Sequence, residues 1–238
     1  MCGRFTQSVS LQDVIDKYRP RIAPDPGSLV DVIDAEGELR ANYNLAPTEP
    51  ALVVRGGEAS RILTVAHFGH PVAFRSQPAP KLLINARSET VLSKPSFSRS
   101  VRMHRAAVPA NGYFEWMKEE GTKTPYFIYP TDEQIVSLAA LWFEPDENSP
   151  VETFVILTQA AAVELAHIHD RMPVMIGPDL LGRWLETSLA DKAGVARLLE
   201  AVQADTAARA MEAYAVTRAV SRANFKSSQA IVPAEGRP

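Results

Sequence analysis

The sequence predicts a single α+β domain with a mainly antiparallel, barrel-like β core and flanking helices. Three observations carry that expectation. Strand-like and helix-like segments do not alternate strictly, which argues against a doubly wound parallel sheet. Several short apolar runs come in pairs about turn residues, the pattern of hairpins. Across 238 residues there is no internal repeat and no composition break, and a hydrophobic fraction of 46% suffices for one substantial core. The domain is expected over residues 1–233, followed by a short disordered tail, 234–238.

Ser10 with Asp13 forms a capping pattern. Leu11, Val14, Ile15 and Tyr18 then fall at i, i+3, i+4 and i+7, so an amphipathic helix is predicted there. Pro20, Pro24 and Pro26 end it, and residues 19–50 read as a long loop with little regular structure. Ala51–Val54 and Arg61–Phe68 flank Gly56-Gly57 as a first hairpin. His70–Pro80 is a proline-bearing loop. Pro125–Tyr129 and Ile135–Phe143 flank a Pro-Thr-Asp-Glu turn as a second hairpin. Thr153–Leu157 and Pro173–Ile176 read as short buried strands, with alanine-rich Gln159–Ala166 helical between them. Leu180–Leu185 is helical. Ser188 and Asp191 repeat the capping pattern before Val195, Leu198, Leu199 and Val202. Tyr214–Val220 reads as a late strand.

One cysteine, Cys2, permits no internal disulfide and no tetrahedral cysteine zinc site. The first ten residues carry Arg4 and polar groups where a leader peptide would be apolar, and no apolar run is long enough to span a bilayer. A cytoplasmic protein without a membrane partner is expected. The net charge of −3 argues against indiscriminate nucleic-acid binding, but the charge is uneven. Lys81, Arg87, Lys94, Arg99, Arg102 and Arg105 face a single acid, Glu89, in residues 81–105. Arg218, Arg222 and Lys226 form a second basic stretch. Such a basic face either binds phosphates locally or is simply solvated.

Chemistry-bearing residues gather in short polar segments: Cys2-Gly3-Arg4-Phe5, Tyr43 to Thr48, Leu83 to Thr90, Asn111 to Trp116 and Ile168 to Pro173. Cys2 is either a small apolar residue near the start or, once Met1 is removed, a 1,2-aminothiol. The amine of such a group condenses with an aldehyde and its thiol closes a five-membered ring. Glu115 lies between Phe114 and Trp116, where an apolar setting raises a carboxyl pKa; the alternative is a strand glutamate facing water. His169 suits acid–base work at cellular pH, or is a hydrogen-bonded loop histidine. His167, His169 and Asp170 are too few to predict a metal, and no cofactor is called for. Asn85 either orients a nucleophile or makes a turn. Arg87 suits a phosphate or a salt bridge to Glu89. Trp116 stacks on a base or fills core. There is no phosphate-cradling glycine loop, no G-x-S-x-G and no H-E-x-x-H.

Together, Met-Cys-Gly-Arg-Phe, Asn-Ala-Arg-Ser-Glu-Thr, Gly-Tyr-Phe-Glu-Trp and Ile-His-Asp-Arg-Met-Pro resemble the SRAP family of SOS response-associated peptidases, the abasic-site processing proteins. The resemblance runs in order from Cys2 to about Val220. It implies a sensor of abasic sites in single-stranded DNA that joins Cys2 to the lesion aldehyde as a thiazolidine. By that analogy Cys2 is the nucleophile and Asn85 holds it. Glu115 and His169 move protons. Arg4 and Arg87 grip phosphates, Pro47 and Trp116 form a base-stacking wedge, and Thr158 lines a polar pocket. The resemblance further implies self-removal of Met1, a monomer, and location at the nucleoid when bound to DNA, and it leaves a lyase side reaction open. Two departures stand out. A family Trp-Gly pair followed by a second Trp reads His67-Phe68-Gly69 with Phe74 here, phenylalanine keeping a π-face for stacking. The segment Ala219 to Lys226 lacks the usual run of asparagines. The competing expectations are a cysteine peptidase acting on other proteins through Cys2, His169 and Glu115, and a catalytically idle single-strand-binding module.

Overall fold

The computed structural model describes residues 2–22, 29, 31–34, 36–57, 60–73, 79–188 and 190–234. In chain order the elements begin with β1 (Phe5–Gln7), α1 (Leu11–Tyr18), β2 (Arg21–Ile22), β3 (Asn42–Leu45), β4 (Pro50–Arg55), β5 (Ile62–Phe68), β6 (His70–Val72), β7 (Lys81–Leu83) and β8 (Asn85–Arg87). Then follow α2 (Pro95–Ser98), α3 (Ser100–Met103), β9 (Arg105–Ala110), β10 (Gly112–Glu119), β11 (Thr122–Pro130), β12 (Val136–Phe143) and β13 (Thr153–Ala160). The chain ends with β14 (Arg171–Pro173), α4 (Pro178–Trp184), α5 (Lys192–Ala207) and β15 (Met211–Ala215).

The expected mixed, mainly antiparallel β core is present. The larger sheet runs β13–β12–β9–β4–β5, and β5 returns to β13 through a short parallel pairing, Thr153 with His67 and Phe154 with Phe68. That pairing closes the sheet into a ring, which removes the edge strands an open sheet would expose. A second sheet, β15–β11–β10–β1–β3, lies beside it. β8 adds in parallel to β13 on the same edge as β5, with Asn85 opposite Ile156 and Arg87 opposite Thr158.

Alternation along the strands builds two cores. Leu52, Val54, Leu63 and Val65 pack outward against α1, α4 and α5, through Val14, Tyr18, Trp184 and Leu198. Ala51, Val53, Ala66, Ala106 and Ala140 face inward, where the small side chains leave room for Phe5, Phe68 and Phe154. These rings pack edge-on or stacked at centroid separations of 5.3–6.5 Å. Gln7 joins the two sheets. Its buried side-chain amide donates to the carbonyls of Leu52 and Pro109, and its oxygen accepts from the Leu52 N–H. It thus stands in for a strand where β4 and β9 part.

The predicted α1 forms as expected, with Ser10 Oγ accepting from the Asp13 N–H at 3.0 Å. The predicted first hairpin is β4–β5, and α5 is capped by Asp191. Six expectations are corrected. β11 and β12 do not pair with each other but belong to different sheets. The true hairpin is β10–β11, turned through Glu120 and Gly121 at φ 46 and 79, positive values that suit a two-residue turn. Gln159 and Ala160 continue β13 because they pair with Met172 and Arg171, so ladder hydrogen bonds override alanine's helix preference, and residues 163–168 form turns. The stretch 19–50 contains β3, which completes the second sheet, and the 70–80 stretch contains β6, paired with β7. The late strand stops at Ala215 and gives way to a 3₁₀ turn over Arg218–Ser221. Arg105 leaves the expected basic face. It is buried, and its guanidinium donates to the carbonyls of Val101, Arg102, Trp184 and Glu186. Pro24, Pro26, Met1, Phe74 and the tail 235–238 lie outside the described residues. No helix among the described residues is long and apolar enough to cross a membrane.

Replacing Gln7 by leucine keeps the volume but leaves three buried backbone groups unpaired. The expected loss is at least about 2 kcal/mol, since each buried orphan costs about 1–3 kcal/mol. Urea unfolding should show a lower midpoint at unchanged slope; an unchanged midpoint would contradict the bridging role.

Candidate functional site

Cys2 is completely buried, although it is the second residue of the chain. It sits just before β1, which pairs with β10 on one side and β3 on the other. Beneath it lie Phe5, Phe68 and Phe154. Asn85, at the start of β8, donates from Nδ2 to the Cys2 carbonyl oxygen at 3.0 Å. β8 belongs to the ring-shaped sheet and β1 to the other, so this bond ties the chain start across the two sheets.

Glu115 stands on β10, two residues after Tyr113, and is only 3% exposed. Burial pushes its carboxyl up to about 7. Cys2 lies close enough that the Glu115 charge adds to burial in pushing the thiol far above its ordinary range. His169 Nε2 is 3.8 Å from Glu115 Oε2. The turn that precedes β14 fixes the ring, because the Arg171 N–H donates to His169 Nδ1 at 3.0 Å. That bond makes Nδ1 an acceptor and puts the neutral ring's proton on Nε2, facing Glu115. Asp170 Oδ1 also lies 3.0 Å from Nδ1, but its side chain is 87% exposed, and the pair would need a proton on a nitrogen already accepting. Burial lowers the His169 pKa, in keeping with the neutral ring. The result is a carboxyl that changes charge near neutrality beside an imidazole and a thiol, a set suited to moving protons.

The four catalytic expectations, Cys2, Asn85, Glu115 and His169, therefore meet at one place. The other five spread around it. Arg87 is exposed on β8, directly opposite Thr158 on β13. Thr158 is buried, and its carbonyl accepts from Ser88 and from Arg171 Nη2. Glu89, the alternative partner for Arg87, is instead taken by Arg171 through two hydrogen bonds of 2.6 and 2.9 Å, which hold its carboxyl below the usual range. Arg4 is half-buried. Its Nη1 donates to Asn44 Oδ1 and to the Val220 carbonyl, and its guanidinium sits 6.0 Å from the Trp116 ring. The Trp116 indole N–H donates to Ser221 Oγ. Pro47 is half-buried in the turn after β3. Phe68 corrects an expectation: it is fully buried against Phe154, so its ring has no face for a base.

Sequence reasoning gave no role to Arg171 or Asn44 and saw Glu89 only as a partner for Arg87. Asn44 is wholly buried and donates to the carbonyls of Val220, Arg222 and Phe225, fastening the segment after β15 beside Arg4 and Trp116. Lys226 reinforces it through the Asn44 carbonyl and Glu49. Each of these residues lies in or near a motif, but nothing in the order of residues pairs positions 89 with 171 or 44 with 220.

The sequence profile described as SOS response associated peptidase (SRAP) matches residues 1–223. The abasic site processing protein YoqW of Bacillus subtilis is 30% identical over 236 residues, 97% of this chain and 99% of that protein. The abasic site processing protein YedK of Escherichia coli is 33% identical over 193 residues, 81% and 82% of the two chains. A crystal structure of a protein from Bacteroides thetaiotaomicron superposes with a TM-score of 0.74 at 25% identity, covering 98% of this chain and all of that one.

The raised Glu115 carboxyl has a consequence for stability. Its folded value of about 7 exceeds an ordinary 4.5, so folding takes up a proton between those values. The stabilisation is fully present below pH 4.5 and is lost as pH rises through about 7. The gap corresponds to at most about 3 kcal/mol. Urea unfolding from pH 4.5 to 8 should show the wild type falling relative to Glu115→Gln, which keeps a neutral side chain. Parallel pH curves would mean that Glu115 is ionised throughout.

Proposed function

The chain belongs to the SOS response-associated peptidase family, and on that premise we propose that it captures abasic sites in single-stranded DNA through Cys2. Removal of Met1 gives Cys2 a free α-amine beside its thiol. The amine attacks C1′ of the ring-opened deoxyribose; the C–N bond forms and the carbonyl oxygen takes a proton. Loss of that oxygen as water leaves an imine. The thiol sulfur then bonds to C1′ of the imine, which is still protonated on nitrogen, its proton passes to the ionised Glu115, and a thiazolidine closes with net release of one water. The observation that carries this reading is the convergence on Cys2 of a carboxyl poised near 7, a neutral imidazole and an amide that holds the Cys2 carbonyl.

Within that reading each residue has a task. Asn85 fixes Cys2 so that the amine and thiol meet the same carbon. Glu115 protonates the departing water and then, ionised, accepts the thiol proton; His169 shares that load. Arg87, exposed at the end of β8, binds a flanking phosphate, and Arg4 contributes positive potential beside Trp116. Trp116 and Pro47 form the wedge that favours unpaired bases, and Thr158 lines the pocket. Self-removal of Met1 arms the protein. The reading as a peptidase acting on other proteins has less support, because activated cysteines sit where the thiol pKa is lowered, whereas burial and Glu115 raise that of Cys2.

Incubation with abasic single-stranded oligonucleotide should give an adduct that survives a denaturing gel. Cys2→Ala should abolish it, and an undiminished adduct in that variant would remove Cys2 from the mechanism. Glu115→Gln and His169→Ala should slow adduct formation by roughly 10²–10⁴-fold, the usual range for acid–base groups, at nearly unchanged single-strand affinity. Losses of rate and affinity in proportion would make both residues structural.

Salt dependence tests Arg87 separately. Each phosphate contact on a single strand contributes about 0.7 to the slope of log affinity against log salt. Arg87→Ala should reduce the slope by about that amount, and an unchanged slope would take Arg87 off the phosphate backbone.

A further inference from the structure

Tyr113 is a buried phenol with unused hydrogen-bonding capacity. Its side chain is only 1% exposed, and its hydroxyl has no hydrogen-bond partner among the described residues. An orphaned buried hydroxyl is costly, and such costs persist where function needs the group. The placement of Tyr113 is informative. It pairs with Phe5 across the β1–β10 ladder. Alternate residues of a strand share a face, so Tyr113 and Glu115 project to the same side of β10. That side packs on the cluster that contains Cys2, while Phe114, between them, packs on the opposite one. A second orphan stands nearby: Asn85 Oδ1 is buried without a partner, on the same amide whose nitrogen holds the Cys2 carbonyl. Two unfilled polar atoms therefore flank the residue on which the adduct would form.

We propose that Tyr113 is a catalytic residue, its hydroxyl donating a hydrogen bond to the oxygen on C1′ of the abasic-site aldehyde. The inference rests on the thiazolidine reading above. C1′ becomes bonded to both nitrogen and sulfur of Cys2, so a donor packed against Cys2 reaches the substituents of that carbon. The hydrogen bond draws charge toward oxygen as the amine adds, then holds the resulting hydroxyl while Glu115 supplies the proton with which it leaves as water. Tyr113 itself gives up no proton. Burial, then the neighbouring Cys2 and Glu115, hold its phenol well above the ordinary tyrosine range, so it remains a donor at every working pH. A buried donor with no partner on the protein suits an atom that the substrate brings.

Tyr113→Phe tests this, because it removes only the oxygen. Rates of adduct formation on an abasic single-stranded oligonucleotide should fall on the order of 10²-fold, the usual loss for one such donor. Affinity for an intact single strand should not change. The melting temperature should stay equal or rise, since a buried orphan has gone. Labelling of Cys2 by a small maleimide should also be unchanged, because the bond is made to oxygen and not to sulfur. A wild-type rate in Tyr113→Phe overturns the inference, as does a slow rate accompanied by a lower melting temperature or by equally altered labelling. If the wild type itself forms no adduct, the failure lies with the thiazolidine reading instead.

Discussion

The architecture turns on keeping the second residue of the chain inside the core. Chain ends usually fray because few contacts hold them. Here the first strand is placed between β3 and β10, so the residues after Cys2 are paired on both sides. The Phe5–Phe68–Phe154 cluster supplies an apolar floor, and Asn85 holds the Cys2 carbonyl from the other sheet. Gln7 continues the work two residues beyond Phe5 by joining Leu52 and Pro109. The closed sheet makes this placement possible, since its small inward alanines leave the space the aromatic cluster fills.

Burial sets the chemistry as well as the position. The same low-dielectric setting pushes a carboxyl up to about 7, a thiol far up and an imidazole down. All three groups are thereby driven toward their neutral forms, and each is a change of one proton away from being reactive. This differs from a protease-like site, where fixed positive charge keeps a cysteine ionised. A site whose groups rest neutral and exchange protons in turn suits an addition in which charge develops and disappears on a substrate carbon.

How much of this was legible in the sequence depends on what kind of information each feature needs. Helix α1 and the β4–β5 hairpin were readable because their signals are local: a cap three residues from its partner, a periodicity, a turn between two runs. The motifs that hold Cys2, Asn85, Glu115 and His169 were readable by their resemblance to a known family. Partner choice was not. β11 and β12 each look like half of a hairpin, yet their apolar patterns suit either sheet, and only the positive φ values at Glu120 and Gly121 mark the turn that is used. Arg105 reads as surface charge, because nothing local announces four backbone carbonyls waiting for a guanidinium. Phe68 reads as a stacking face until Phe154 is seen to cover it.

The segment after β15 shows how a departure in sequence can be absorbed by structure. It lacks the asparagine run the resemblance would supply, yet it is fastened by a single asparagine contributed from elsewhere. Asn44 on β3 donates to three of its carbonyls, and the Asn44 oxygen accepts from Arg4. Arg4 in turn donates to Val220, and Trp116 to Ser221. Because Arg4 follows Cys2 by two residues and Trp116 follows Glu115 by one, the segment braces the chain beside both Cys2 and Glu115. Its backbone carbonyls, rather than its side chains, receive most of these bonds, so much of its sequence can change while its path is held. The segment is therefore held beside Arg4 and Trp116 chiefly through its backbone carbonyls, with the Ser221 and Lys226 side chains adding to them.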